Sequence, residues 1–216
     1  MSDKKAVIFD FDGTIADTFS IVVEIVNSLT DEYRFPKLGI EEIAMLRHRR
    51  AQDVLSVFKI PLWKIPSFIF RVKEVLSQQI GSVKPFPGVI EALEQLREKG
   101  YVLGILSSNT METVDQFLEN NHITLFDFVY CEKDLFGKAR VLKNLMKQYD
   151  LNQNNVIYVG DETRDIEAAH GAWVQMISVG WGYNSIGTLE KLKPDLLIDK
   201  PQELVDAVST LFSKYR

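Results

Sequence analysis

Short apolar runs alternate along this chain with longer stretches in which apolar residues return every three or four positions. The first run, Ala6 to Phe9, stops abruptly at Asp10-Phe11-Asp12-Gly13-Thr14. A short apolar run bounded by a turn signal reads as a buried strand, whereas recurrence at helical spacing reads as a helix with one apolar face. By the second criterion Ile21, Val22, Ile25, Val26 and Leu29 belong to a helix that Asp17 or Thr18 can cap. Between 38 and 82 the pattern is helical throughout, with Pro36, Pro61 and Pro66 breaking it into pieces. Its apolar residues Phe58, Leu62, Trp63, Phe68, Phe70, Val75 and Leu76 can form a small core of their own. Lys84-Pro85-Phe86-Pro87-Gly88 is stiff and turn-prone, and marks a boundary.

Beyond it the two rhythms interleave. The pattern predicts helices over 88–99, 111–120, 138–149, 163–171 and 201–213, and strands over 101–106, 127–131, 155–160, 174–179 and 195–198. Gly100 suits the left-handed position after a helix. Strands alternating with helices predict an α/β fold: a parallel sheet covered on both faces, in three Rossmann-like layers. Ligands of such sheets bind at the carboxyl ends of the strands.

Those ends carry the polar residues. Asp10 and Asp12, two apart on a strand, share a face while Phe11 points away, and Gly13 permits a sharp turn. The second strand delivers Ser107, Ser108 and Asn109, and the fourth delivers Asp161, with Asp165 one helical turn on. Lys138, after Phe136-Gly137, starts a helix facing the same edge. Taken singly, each has a plain structural explanation: an acidic turn, a helix cap or a solvated lysine. Together, four carboxylates in one crevice repel each other and any anionic ligand. A hard divalent cation with oxygen ligands relieves that, and Mg²⁺ suits a few carboxylates plus a phosphate oxygen.

Composition narrows the function classes. The chain has 216 residues, 46% of them hydrophobic, a net charge of −5 and one cysteine. That length suits one large domain or a domain with an insertion. The acidic balance offers no general attraction to nucleic acid or to an anionic membrane. A lone Cys131 excludes an internal disulfide and, at a strand end, reads as small apolar packing. No apolar run approaches the roughly 20 residues that span a bilayer, and no signal peptide precedes the first strand, so a soluble cytoplasmic protein is expected. Oligomeric state is left open.

The ordered set Asp10-Phe11-Asp12-Gly13-Thr14, Ser107, Lys138 and Gly160-Asp161-x-x-x-Asp165 resembles the four motifs of the haloacid dehalogenase-like superfamily, and within it the phosphoglycolate phosphatase-like hydrolases. The resemblance implies a catalytic core of residues 1–14 and 85–216 and an inserted all-helical cap over 15–84. It implies an Mg²⁺-dependent phosphatase acting on a small phosphorylated metabolite. Asp10 would be the nucleophile that forms an aspartyl-phosphate and Asp12 the general acid and base. Ser107 and Lys138 would hold the transferring phosphoryl group, with Gly13, Ser108 and Asn109 beside it. The metal would be held by Asp10, the main-chain carbonyl of Asp12 and Asp161, with Asp165 nearby.

In the basic run Arg47-His48-Arg49-Arg50, Arg47 is the candidate for a distal anion of the substrate when the cap closes, the alternative being a solvated helix face. Trp173 stands where similar proteins carry glycine, and is expected to tighten packing beside the fourth motif. Of the competing activities, a dehalogenase usually lacks the second carboxylate, so Asp12 speaks against it. A phosphoglucomutase of the β type keeps both aspartates, and a catalytically retired binding protein would have no need of the complete set.

Overall fold

The computed structural model describes residues 4–49, 53, 58, 60–132 and 137–213. Six parallel strands form its sheet: β1 (Ala6–Phe9), β2 (Val102–Ser107), β3 (Phe128–Cys131), β4 (Val156–Gly160), β5 (Gln175–Val179) and β6 (Leu196–Ile198). Their order is β3-β2-β1-β4-β5-β6, so β1 lies inside the sheet between β2 and β4. A strand covered on both faces needs no polar alternation, which is why Ala6 through Phe9 is uniformly apolar and buried.

The pleat sends successive residues to opposite layers. Val7 and Phe9 join a core with α5 (Val89–Glu98), α6 (Met111–Asn120) and α10 (Leu204–Ser213). Ala6 and Ile8 join another with α7 (Lys138–Gln148), α8 (Thr163–Ala172) and α9 (Ile186–Glu190). These are the three layers expected of the sequence. Helix α9 was not legible there; five residues including Gly187 are too few to show a period.

Between β1 and α5 the described residues contain no strand. They form α1 (Phe19–Ser28), α2 (Thr30–Tyr33), α3 (Ile40–Leu46) and α4 (Ile65–Gln79), with 3₁₀ turns at Leu62–Lys64 and Ile80–Ser82. These helices have a core of their own in which Tyr33, Phe35, Phe58 and Phe68 meet largely edge to face. Leu62, Trp63 and Phe70, expected in that core, are mostly exposed. Pro66 does not break a helix. It occupies the first turn of α4, where the missing N–H removes no bond and the fixed φ suits helix entry. Ile15, Ala16, Ile80 and Val83 pack into the sheet core instead. The two passages between helical layer and sheet run side by side: Asp17 N donates to the Lys84 carbonyl at 2.9 Å and Phe86 N to that of Ile15 at 3.0 Å.

Two further expectations are corrected. Thr18 holds the N-cap position of α1 but its side chain caps nothing, because its hydroxyl is shared with the Tyr183 hydroxyl at 3.1 Å. Trp173 tightens no packing. It ends α8 at φ 60°, a left-handed conformation that glycine favours, and its side chain lies in solvent at 76% exposure. Among the described residues, no helix is long and apolar enough to cross a membrane.

Candidate active site

The carboxyl edge of the sheet gathers the polar groups around β1. Phe11 follows Val7 and Phe9 into one core and meets Phe117 edge-on, ring centroids 5.0 Å apart. That anchor fixes the turn on which Asp10 and Asp12 sit. Asp10 turns toward α7, whose first residue, Lys138, places Nζ 2.8 Å from Asp10 Oδ1. The same ammonium also bonds Asp165 Oδ1. Asp165 lies in the first turn of α8 and accepts the Glu162 N–H at 2.9 Å on its other oxygen. It therefore both completes the helix start and binds the lysine.

Asp161 is held as firmly. Thr14 Oγ1 donates to one oxygen at 2.7 Å and the Tyr183 N–H to the other at 2.6 Å. Gly13, at φ +78°, passes so close that a Cβ there would lie 2.2 Å from Asp161 Oδ2 and 2.5 Å from the Tyr183 ring. Gly182 is confined in the same way from the opposite side, its would-be Cβ 2.2 Å from the same oxygen. Asp12 Oδ2 accepts from Asn109 Nδ2 at 2.7 Å. Ser107 Oγ accepts the Asn109 N–H at 3.0 Å, and the capping of α6 falls to Thr110, which accepts from Thr113 N at 3.2 Å. Ser107 is thus not needed as a cap.

Electrostatics sort these groups. Burial pushes the Asp10 carboxyl up to about 7, against the pull of Lys138. Burial also raises Asp12, more than its hydrogen bonds and the Lys73 charge lower it. For Lys138, burial disfavours the charge, but Asp10 and Asp165 outweigh it and the pKa ends well above the usual lysine value. Burial raises Asp161 as well, with Glu162, Asp165 and Asp10 adding repulsion and the Tyr183 amide opposing.

Oxygens of Asp10, Asp161 and Asp165 all lie within 4.8 Å of one another, and Lys138 binds the first and the third. Asp10 Oδ2 and Asp12 Oδ1 are buried and have no hydrogen-bond partner among the described residues. A buried carboxylate oxygen left without a donor is costly, so each requires a proton, a cation or a ligand. An all-oxygen cluster with excess negative charge and one unbonded oxygen fits Mg²⁺.

Several neighbours were not legible in the sequence. Lys73 of α4 donates to the Ser108 carbonyl at 2.6 Å and to its hydroxyl at 3.1 Å. Arg164 bonds Glu162 Oε1 at 2.7 Å, while its buried Nε has no partner among the described residues. Its place one residue before Asp165 was the only available signal; for Lys73 there was none. In this structure Arg47, the candidate for a distal substrate anion, is engaged elsewhere. Its guanidinium donates to the Gly182 carbonyl at 2.6 Å and lies 5.2 Å from the Phe19 ring centroid, outside the lining of the cavity above Asp12. Asn184 ties down the Arg47 and Arg49 carbonyls, and Ser185 Oγ meets His48 Nδ1 at 2.8 Å. The turn after α3 is thereby fixed to the loop beside Asp161. Arg50 and Phe136 lie outside the described residues.

A family model for haloacid dehalogenase-like hydrolases matches residues 7–179. The chain belongs to this family. It is 33% identical over 208 residues to a phosphoglycolate phosphatase of Synechococcus elongatus, covering 96% of this chain and 98% of the relative. It is 23% identical over 212 residues to the pyrophosphatase PpaX of Bacillus mycoides, covering 96% and 98%. Among solved structures, a haloacid dehalogenase-like hydrolase of Streptococcus pneumoniae superposes with a TM-score of 0.79 at 22% identity, over 96% of this chain and 99% of that one. Together with these named relatives, the family places the chain among haloacid dehalogenase-like phosphatases, enzymes of the phosphoric monoester hydrolase class.

Proposed function

We propose that this chain is an Mg²⁺-dependent phosphatase that hydrolyses a small phosphorylated metabolite through an aspartyl-phosphate on Asp10. The observation that carries the reading is the state of Asp10: buried, held at Oδ1 by Lys138, and left without a donor at Oδ2. An oxygen kept clear of hydrogen bonds in a rigid setting is what a carboxylate nucleophile needs. In the first step an Asp10 oxygen forms a bond to phosphorus as the ester P–O bond breaks. Asp12 gives its proton to the departing alkoxide, a role supported by the burial that raises its pKa. In the second step Asp12 takes a proton from water, whose oxygen bonds phosphorus and releases Asp10 and inorganic phosphate. Asn109 keeps Asp12 oriented for both transfers. Lys138 balances charge on Asp10 and the phosphoryl group, and Ser107 donates to the phosphoryl oxygens.

Asp10 and Asp161, with Asp165 beside them and the Asp12 carbonyl, would hold Mg²⁺, which would offset the repulsion between a carboxylate nucleophile and a dianionic phosphate. The test is phosphate release from phosphorylated metabolites, phosphoglycolate among them, with Mg²⁺ and with chelator. We expect release only with the metal, and a loss of about 10⁴-fold or more in Asp10→Asn. Release that survives both chelation and the substitution would overturn the reading.

A further inference from the structure

The cavity above Asp12, Asn109 and Lys138 measures about 630 Å³, well within the range of small-molecule sites. Its two ends differ in chemistry. The sheet edge supplies the polar end, with Asp12, Ser108, Asn109, Lys138 and Arg164, while among the described residues the helical layer supplies a wall that is apolar apart from Lys73. The Lys73 ammonium is itself drawn to the polar end, where Ser108 binds it.

Much of that wall doubles as the core of the helical layer, which alone would explain its apolar character. Val23 of α1 and Ile69 of α4 are different. Both line the cavity, both are half-buried, and neither belongs to any of the three hydrophobic cores among the described residues. Core packing therefore does not account for a branched aliphatic residue at either position. A second anionic group on the substrate, pointing away from the phosphate, would face these side chains. Arg47 offers it no partner, since its guanidinium is engaged at Gly182 outside the cavity.

We infer that the substrate is a phosphate monoester with a bulky apolar organic group, and that Val23 and Ile69 help to select it. This rests on the phosphatase reading above: the phosphoryl end sits at Asp10, and the apolar group fills the space between α1 and α4. A two-carbon acid such as glycolate would leave most of that volume, and the apolar wall that bounds it, unfilled.

The experiment compares phosphoglycolate with a series of n-alkyl phosphates from ethyl to octyl, using the full chain with Mg²⁺. Alongside it, calorimetry measures binding of the corresponding alkylphosphonates, which cannot be hydrolysed. Transfer of each methylene into an apolar site is worth roughly three- to fourfold, so kcat/KM and affinity are expected to climb by that factor per carbon and to overtake phosphoglycolate. Ile69→Asp and Val23→Asp are expected to flatten both series, and Ile69→Ser to flatten them partly. Hydrolysis that is flat with chain length, or fastest with phosphoglycolate, overturns this inference and leaves the phosphatase reading standing. No hydrolysis of any ester, with phosphonate affinity still climbing, overturns the phosphatase reading and leaves the apolar site. Neither hydrolysis nor graded binding overturns both.

Discussion

At Gly13 a single missing methyl group holds the site together. Its φ of +78° already disfavours a side chain, and a Cβ would lie 2.2 Å from Asp161 Oδ2. Gly13→Ala is expected to cost about 1–3 kcal/mol of stability in urea denaturation and to lower phosphate release at least about tenfold, because Asp161 must move. Gly100→Ala is the matched comparison: φ is +82°, but nothing lies within 4 Å of the new Cβ. It should carry the backbone strain without the loss of activity. Cys131 makes a separate prediction. Burial pushes its thiol from 9.0 up to about 11, so in the folded protein it stays protonated where an unfolded thiol ionises. Its contribution is intact below pH 9 and is lost as pH rises toward 11, so stability should fall across that window in the wild type and less in Cys131→Ala. Alkylation at pH 8 should be slow for the folded protein and fast once it is denatured; equal rates would contradict the burial effect.

Among the elements, α6 ties the core to the chemistry. Phe117 is fully buried and braces Phe11, between the two catalytic candidates Asp10 and Asp12. Phe117→Ala should cost about 3–5 kcal/mol and, because the turn loses its anchor, lower activity in the fraction that remains folded. Phe117→Leu should recover most of both. An unchanged activity in folded Phe117→Ala would show that the turn is held by other contacts. The same scale explains what could be read from the sequence. Strands buried on both faces are uninterrupted apolar runs, and every residue implicated at the sheet edge lies at the end of such a run or the start of the following helix. Asp10, Asp12, Ser107, Asp161 and Lys138 were therefore legible by position. Lys73 and Asn184 were not, because their roles depend on how helices and loops distant in sequence come together. Arg47 shows the same dependence: its charge suggested a substrate partner, and in this structure its guanidinium meets the Gly182 carbonyl and the Phe19 ring.

For the molecule as a whole, the arrangement separates two tasks. The sheet edge holds the groups proposed to act on the phosphoryl unit, and the helical layer above it encloses the cavity. Two adjacent passages, 14–18 and 83–86, connect them through backbone hydrogen bonds. We propose that they serve as the hinge of a lid formed by residues 15–84. Thr14 would couple that hinge to the metal site, since its hydroxyl bonds Asp161 and its carbonyl accepts from Trp181 Nε1 at 3.1 Å. Thr14→Val leaves Asp161 with one donor fewer in a buried site, at a cost of about 1–3 kcal/mol, and should weaken Mg²⁺ affinity measured by calorimetry. Unaltered affinity would detach the hinge from the metal.

The central claim is that Asp10 takes the phosphoryl group. It is tested most directly by rapid acid quench during turnover of a phosphate ester with Mg²⁺, followed by mass analysis of the peptide that contains Asp10. We predict one phosphoryl group on that peptide, removed by hydroxylamine as an acyl phosphate is, and absent in Asp10→Asn. A wild-type enzyme that releases phosphate while this peptide stays unmodified at every quench time, or a phosphoryl group found on another residue, would contradict it.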